Sequence, residues 1–235
     1  TNNFAAAVGI TSGRNVAITD EDAIDLGAAT VSGTYGITAG GAVTDSGTQE
    51  ITGITTISAS GQDVTLNTST NNFADEVRIT GAAVTVVDED AIVLGAATVS
   101  GTYSVTAGGA ITDEGTQEIT GVTTLVAGSS NDITLNTSTN NFAAAVVITS
   151  GRNVAITDED AIVLGAATVS GTYGITAGGA VTDSGTQEIA GVTTLAAGSG
   201  NDITLDISTN NFAAAVVITS GRNVAIIDEA TIDLG

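Results

Sequence analysis

The nineteen residues STNNFAAAVVITSGRNVAI occupy positions 138–156 and recur without change at 208–226; a near copy, TNNFAAAVGITSGRNVAI, opens the chain. All four Phe follow a pair of Asn, at Phe4, Phe73, Phe142 and Phe212, which sets a period of 69, 69 and 70 residues. The three Tyr keep the same period in GTY, at Tyr35, Tyr103 and Tyr173, and TDSGTQEI or TDEGTQEI returns from Thr44, Thr112 and Thr182. The chain is therefore a little over three copies of one module, at about 1–69, 70–138 and 139–208, with a partial copy at 209–235. A repeat of this kind constrains the fold strongly, because each copy must bury its apolar residues against the next one.

Within a module the local pattern is that of short strands. Ala, Val, Ile and Leu alternate with Thr and Ser, and Gly punctuates the runs, while Pro is absent. β-Branched residues suit a pleated surface, and Gly without Pro suits tight turns that leave hydrogen-bond ladders intact. Short β pairs begin at Asp132 (DITL), Asn153 (NVAI) and Gly174 (GITA), and the cycle closes with steps of 21, 21 and 28 residues. Units of this length with strands at matching places predict an all-β fold, a parallel β-helix or β-solenoid. About ten coils are expected, three per module, in a single continuous solenoid over 1–235 without caps. At about 4.8 Å per coil this is a rod about 50 Å long.

Differences between the copies assign faces and turns. TSGRNV (11–16) becomes the one-residue-shorter TGAAV (80–84), and ISASGQDV (57–64) is one shorter than LVAGSSNDI (125–133). A gap inside a ladder flips every following side chain, so both places are expected to be turns. Gly9, Arg78, Val147 and Val217 occupy one equivalent position, which marks it as exposed, whereas the neighbouring Ile10, Ile79, Ile148 and Ile218 never vary. Asp25, Val93, Val163 and Asp233 form a second such exposed set, each flanked by Ile and Leu. The interior is expected to be a thin seam of Val, Ile, Leu and Ala with one Phe per module.

Composition narrows the function classes. The 26 acidic residues face only Arg14, Arg78, Arg152 and Arg222, a formal charge of −22. Such a chain repels nucleic acid and anionic membrane surfaces, and no run is long and apolar enough for membrane insertion as a helix. The absence of Cys excludes a disulfide scaffold. Disorder is excluded because the apolar residues, with Tyr, reach 42% and are patterned.

Without His, Cys or Lys, chemistry would fall to carboxylates, the three Tyr and the four Arg. The densest cluster is the turn DED, at Asp20–Asp22, Asp88–Asp90 and Asp158–Asp160, which becomes Asp228, Glu229, Ala230 in the last copy. Read as half of a glycosidase pair it would have to recur in every brick of a rod, so the chain is expected not to be an enzyme. Read as oxygen ligands, Asp20, Asp22, Asp88, Asp90, Asp158 and Asp160 are Ca²⁺ candidates, since stacked acidic turns would gather charge along one edge. Ca²⁺ is the one possible cofactor. The tract GSGND (198–202) resembles the GGxGxD calcium repeat of RTX toxins, although it occurs once per module rather than consecutively. The Asn pairs read as turn residues or as amides bonded inside a bend. NTS at 67–69 and 136–138 fits a glycosylation acceptor but needs no such reading. The Thr-rich strands do not make an unbroken ice-binding grid, because neighbouring coils offer Ala, Gly and Ser. Arg14, Arg152 and Arg222, in the SGRN turn, are expected to pair with the DE turn of the same or a neighbouring coil.

The cycle ITLNTSTNNF, VAITDEDAIVLG, TVSGTY, ITAGGAVTDSG and GVTTLAAG resembles the repetitive stalks of filamentous-haemagglutinin-like proteins and other giant bacterial surface adhesins. The resemblance covers the whole chain and carries over no catalytic residue. It implies a right-handed parallel β-helix, export to the cell surface, and a part in adhesion, biofilm or surface-fibre formation. The expected partners are neighbouring β-helix modules end to end and other surface or matrix components. The alternative is a subunit of an extracellular filament whose copies stack non-covalently, and a third reading is a Ca²⁺-dependent or carbohydrate-active β-helix.

Overall fold

The computed structural model describes residues 2–235, which fall into two compact units dividing between Thr120 and Gly121. The described residues of each unit contain strands, turns and bends but no helix, and the strands pair in parallel from coil to coil. Each unit is a β-solenoid. Every coil lays one strand, or two short ones, on each of two sheets, and inward residues of both sheets share a narrow core. Alternation of aliphatic and hydroxyl residues produces this directly, as Tyr35–Ala39 shows with Tyr35, Ile37 and Ala39 buried and Thr38 exposed.

In the first unit one sheet runs through Val8–Gly13, Ile24–Val31, Val43–Asp45 with Gln49–Ile51, Val64–Leu66 with Asn72–Phe73, Val84–Asp88 and Tyr103–Ala107. The other runs through Val16–Asp20, Tyr35–Ala39, Thr55–Ser58, Val77–Gly81, Ile92–Val99, and Ile111–Asp113 with Gln117–Ile119. Paired residues on the first sheet follow the column Ile24, Val43, Val64, Val84, Tyr103. On the second they follow Tyr35, Thr55, Val77, Leu94, Asp113. The first column contains Ile24, but its equivalent in the next module, Ile92, lies on the second sheet. Tyr35 and Tyr103 exchange sheets in the opposite sense. The module is thus seven half-coils, three and a half coils rather than three.

The second unit repeats the arrangement. Val146–Gly151 pairs with Thr123–Val126 and Ile162–Val169 on one sheet, while the equivalent Val216–Ser220 pairs with Thr193–Ala196 on the other. The expected stack DITL, NVAI, GITA is present, with Ile133 on Val154 and Val154 on Tyr173. The last, 28-residue step hides the extra half-coil. Tyr173 is followed on its own sheet by Thr193, and Ile203 then belongs to the facing sheet beside Val181.

The seam contains the expected aliphatic residues and also the Tyr: Tyr35, Phe73 and Tyr103 in the first unit, and Phe142 and Tyr173 in the second, are each 1% exposed, whereas Phe4, expected in the seam, is 37% exposed. The first variable position faces outward, with Gly9 and Arg78 exposed, Val147 and Val217 half-buried, and Ile79 and Ile148 buried. At the second, expected to be exposed, only Asp233 is exposed, and Asp25, Val93 and Val163 are half-buried. One length difference is a turn, five residues at 59–63 against six at 127–132. The other is not. Val8–Gly13 and Val77–Gly81 are each followed by two turn residues, and the extra residue is taken up as a bulge between Ile10 and Gly13, where Thr11 and Ser12 both point outward. In the shorter copy Ile79, Thr80 and Gly81 pair continuously with Ala97, Thr98 and Val99. A bulge lets a strand gain a residue while every later side chain keeps its face.

Candidate functional site

The acidic turns close one half-coil and open the next. Asp20, Asp88 and Asp158 end their strands and are each 2% exposed, so the first carboxylate of every DED points into the molecule. One oxygen of Asp88 accepts the Phe73 amide of the preceding coil at 2.9 Å, and the other accepts the Asp90 amide at 2.9 Å. Asp20 holds Phe4 and Asp22 at 3.0 and 3.3 Å, and Asp158 holds Phe142 and Asp160 at 3.1 and 2.9 Å. The tie is reciprocal, because the Glu89 amide donates to the Asn71 carbonyl at 2.7 Å. Each DED therefore straps the NNF segment of the coil before it. Burial pushes the Asp88 carboxyl up to about 6, against the pull of the two amides, and raises Asp158 for the same reason.

This geometry changes the calcium expectation. In the first unit, Glu21–Ala23 leads from the second sheet to the first and Glu89–Ala91 from the first to the second, so the two turns lie on opposite edges. Three and a half coils separate them, about 17 Å along the axis. The coil that follows each turn offers glycine instead of a further carboxylate: a Cβ on Gly40 would sit 2.0 Å from the Glu21 carbonyl oxygen. The acidic turns thus do not stack along one edge. Asp22, Asp90 and Asp160 are exposed, and Asp22 accepts the Asn3 side-chain amide at 2.8 Å. Among the described residues no three Asp or Glu are grouped as metal ligands would be.

The GSGND tract has a different use. Asp202 accepts Arg222 through both oxygens at 2.8 Å, together with the Asn223 backbone and side-chain amides. Asp132 holds Arg152 and Asn153 in the same way. The guanidinium holds each carboxyl down at about 2. Arg152 and Arg222 thus pair with the Asp of the coil before, not with the DE turn. The planar fork and the neighbouring Asn amide select that Asp, directly across one coil spacing. Arg78, which has no counterpart in the other copies, pairs with Glu76 at 2.5 Å.

A third carboxylate has a structural use that its sequence context did not suggest. Where the first sheet breaks between Asp45 and Gln49, Asp45 accepts the Asn67 amide at 2.8 Å and the Asn71 side-chain amide at 2.6 Å. Asn71 in turn accepts the Gln49 amide at 2.9 Å, and the Gln49 side chain donates to the carbonyls of Gly27 and Gly47 at 2.8 and 2.7 Å. Gln49 and Asn71 are fully buried. Asp183, Gln187 and Asn210 repeat the network in the second unit. Asn71 and Asn210, each the first Asn of its pair, are therefore the amides inside the bend, whereas Asn2 is exposed and donates to the Thr19 carbonyl. The signal available in the sequence was the invariance of TD, TQ and NN across the chain's own copies.

Three consecutive matches, at residues 13–80, 81–149 and 151–219, are found to the profile of a family described as repeats of unknown function (DUF5649). No curated protein and no solved structure matches the chain. With three tandem copies covering most of its length, the chain belongs to this family of repeats of unknown function.

Proposed function

We propose that the chain is a length of structural shaft in an extracellular surface fibre or adhesin, with no catalytic role. One observation carries this reading. The polar side chains that the modules repeat, the buried Asp of DED, the buried Gln and half-buried or buried Asp of TDSGTQ, and the Asn buried at Asn71 and Asn210, hydrogen-bond the chain's own backbone and one another. Residues kept for such bonds make one coil fit the next, and their repetition extends a solenoid by whole modules. Two outward positions vary between Gly, Arg and Val and between Asp and Val, as expected of a surface whose individual side chains matter little.

The test is the size of the native polypeptide, read by denaturing gel and mass spectrometry on material stripped to single chains. Hundreds of kilodaltons of continuous repeat is the expected result for a covalent shaft, and the adhesive function would then be sought at its tip. Native chains near the 22.9 kDa of this sequence would overturn the shaft and favour a filament of stacked copies.

A further inference from the structure

The coil geometry converts the composition into a line charge. Residues 1–120 carry fifteen carboxylates against Arg14 and Arg78. The first unit spans six coils. At about 4.8 Å per coil this is roughly one net negative charge per 2 Å of axis, against one per about 1.7 Å in double-stranded DNA. The second unit, with eleven carboxylates against Arg152 and Arg222, comes to roughly one per 3 Å. Two unit charges in water interact with thermal energy at about 7 Å, so both spacings lie well inside the range where a charged rod gathers counterions. The half-integral module distributes this charge. In the first unit it puts successive DED turns on opposite edges, so the potential surrounds the solenoid.

We propose that this solenoid is a polyanion that takes up divalent cations as a condensed atmosphere rather than in coordination sites. The ligand class is any small divalent cation, held by the summed field. The first carboxylate of each DED and the carboxylate of GSGND have oxygens engaged by backbone amides and by a guanidinium group. The other exposed carboxylates, Glu21, Glu50 and Glu89 among them, contribute through their charge alone. The atmosphere offsets the self-repulsion of a chain at −22. A stacked filament would carry the same charge per coil as a covalent shaft, so the cation atmosphere is independent of which of the two the chain builds.

Equilibrium dialysis of the whole chain against CaCl₂ or MgCl₂ tests it. The expected result is equal uptake of the two ions, falling at least tenfold as NaCl rises from about 0.01 M to about 0.5 M. Glu89→Gln, in an acidic turn, and Glu50→Gln, on a strand, should each lower uptake by the same small fraction. Saturable uptake that prefers Ca²⁺ and resists salt would overturn the proposal in favour of a coordination site, because Mg²⁺ demands a different geometry and dehydrates reluctantly. Loss confined to Glu89→Gln, or no uptake of either ion at low salt, would overturn it equally.

Discussion

Asp88 shows how one residue type serves opposite ends of the pH scale in this chain. Its carboxyl is buried and pushed up to about 6, above the ordinary value of 3.8, so folding favours the protonated form. The stabilising contribution of such a group is full below the ordinary value and is lost as pH rises through about 6. Asp132 and Asp202 sit near 2 beside their arginines, so their contribution is present above the ordinary value and lost as pH falls through about 2. The melting temperature is therefore expected to rise as pH falls from 7 to about 5, and to drop again in strong acid. Asp88→Asn should flatten the first limb and leave the second in place, which a set of thermal melts across pH would read. If Asp88→Asn left the slope between pH 5 and 7 unchanged, the burial account of this carboxyl would be wrong.

At the scale of elements, the turns decide which substitutions are tolerated. Gly40 packs its α-carbon against the Glu21 carbonyl of the coil before, and that backbone is itself hydrogen-bonded, so neither side can yield. Gly40→Ala is expected to cost about 1–3 kcal/mol in a denaturant titration, as overpacking does elsewhere. Gly61 has open space around it but a φ of 73°, so Gly61→Ala should cost about 1–2 kcal/mol through backbone conformation alone. Deleting Ser12 should be close to neutral, within about 0.5 kcal/mol, because it converts a bulge into the continuous register already present at Ile79–Gly81. The strands and their inward faces were legible in the sequence, since burial imposes a period of two and the copies exchange only one apolar residue for another at inward positions such as Ile37 and Val105. The bulge was not, because inserting a residue into a strand leaves the same gap in an alignment as inserting one into a turn. The acidic turn was visible as a cluster, but a string of letters does not say that its first carboxylate faces its own backbone. The Asn pairs told more: their fixed place before Phe pointed to amides inside a bend, and Asn71 and Asn210 are there.

At the scale of the molecule, a module of seven half-coils requires one sequence to serve on either sheet. IDLGAATV and IVLGAATV do this within the first unit, on opposite sheets and with equivalent neighbours on both sides. An inward–outward alternation reads the same on both sheets, which is why the sequence pattern could not distinguish three coils from three and a half. The two possibilities differ in which deletions the chain can survive. Removing residues 24–91 joins Ala23 to Ile92, restores DEDAIVLG, and should leave a folded solenoid in which every later strand has changed sheets. Removing residues 24–83 takes out three whole coils and keeps each later strand on its own sheet, yet it joins Ala23 to Val84. The strand placed after the acidic turn then lacks the LGAA bulge that Val8–Gly13 pairs against, and Asp88 is kept while the Phe73 amide that it holds is removed. Far-UV circular dichroism per residue and a cooperative melt are expected to survive the 68-residue deletion and to be lost or broadened in the 60-residue one. The reverse outcome would mean that the coil, not the half-coil module, is the unit by which this solenoid is assembled.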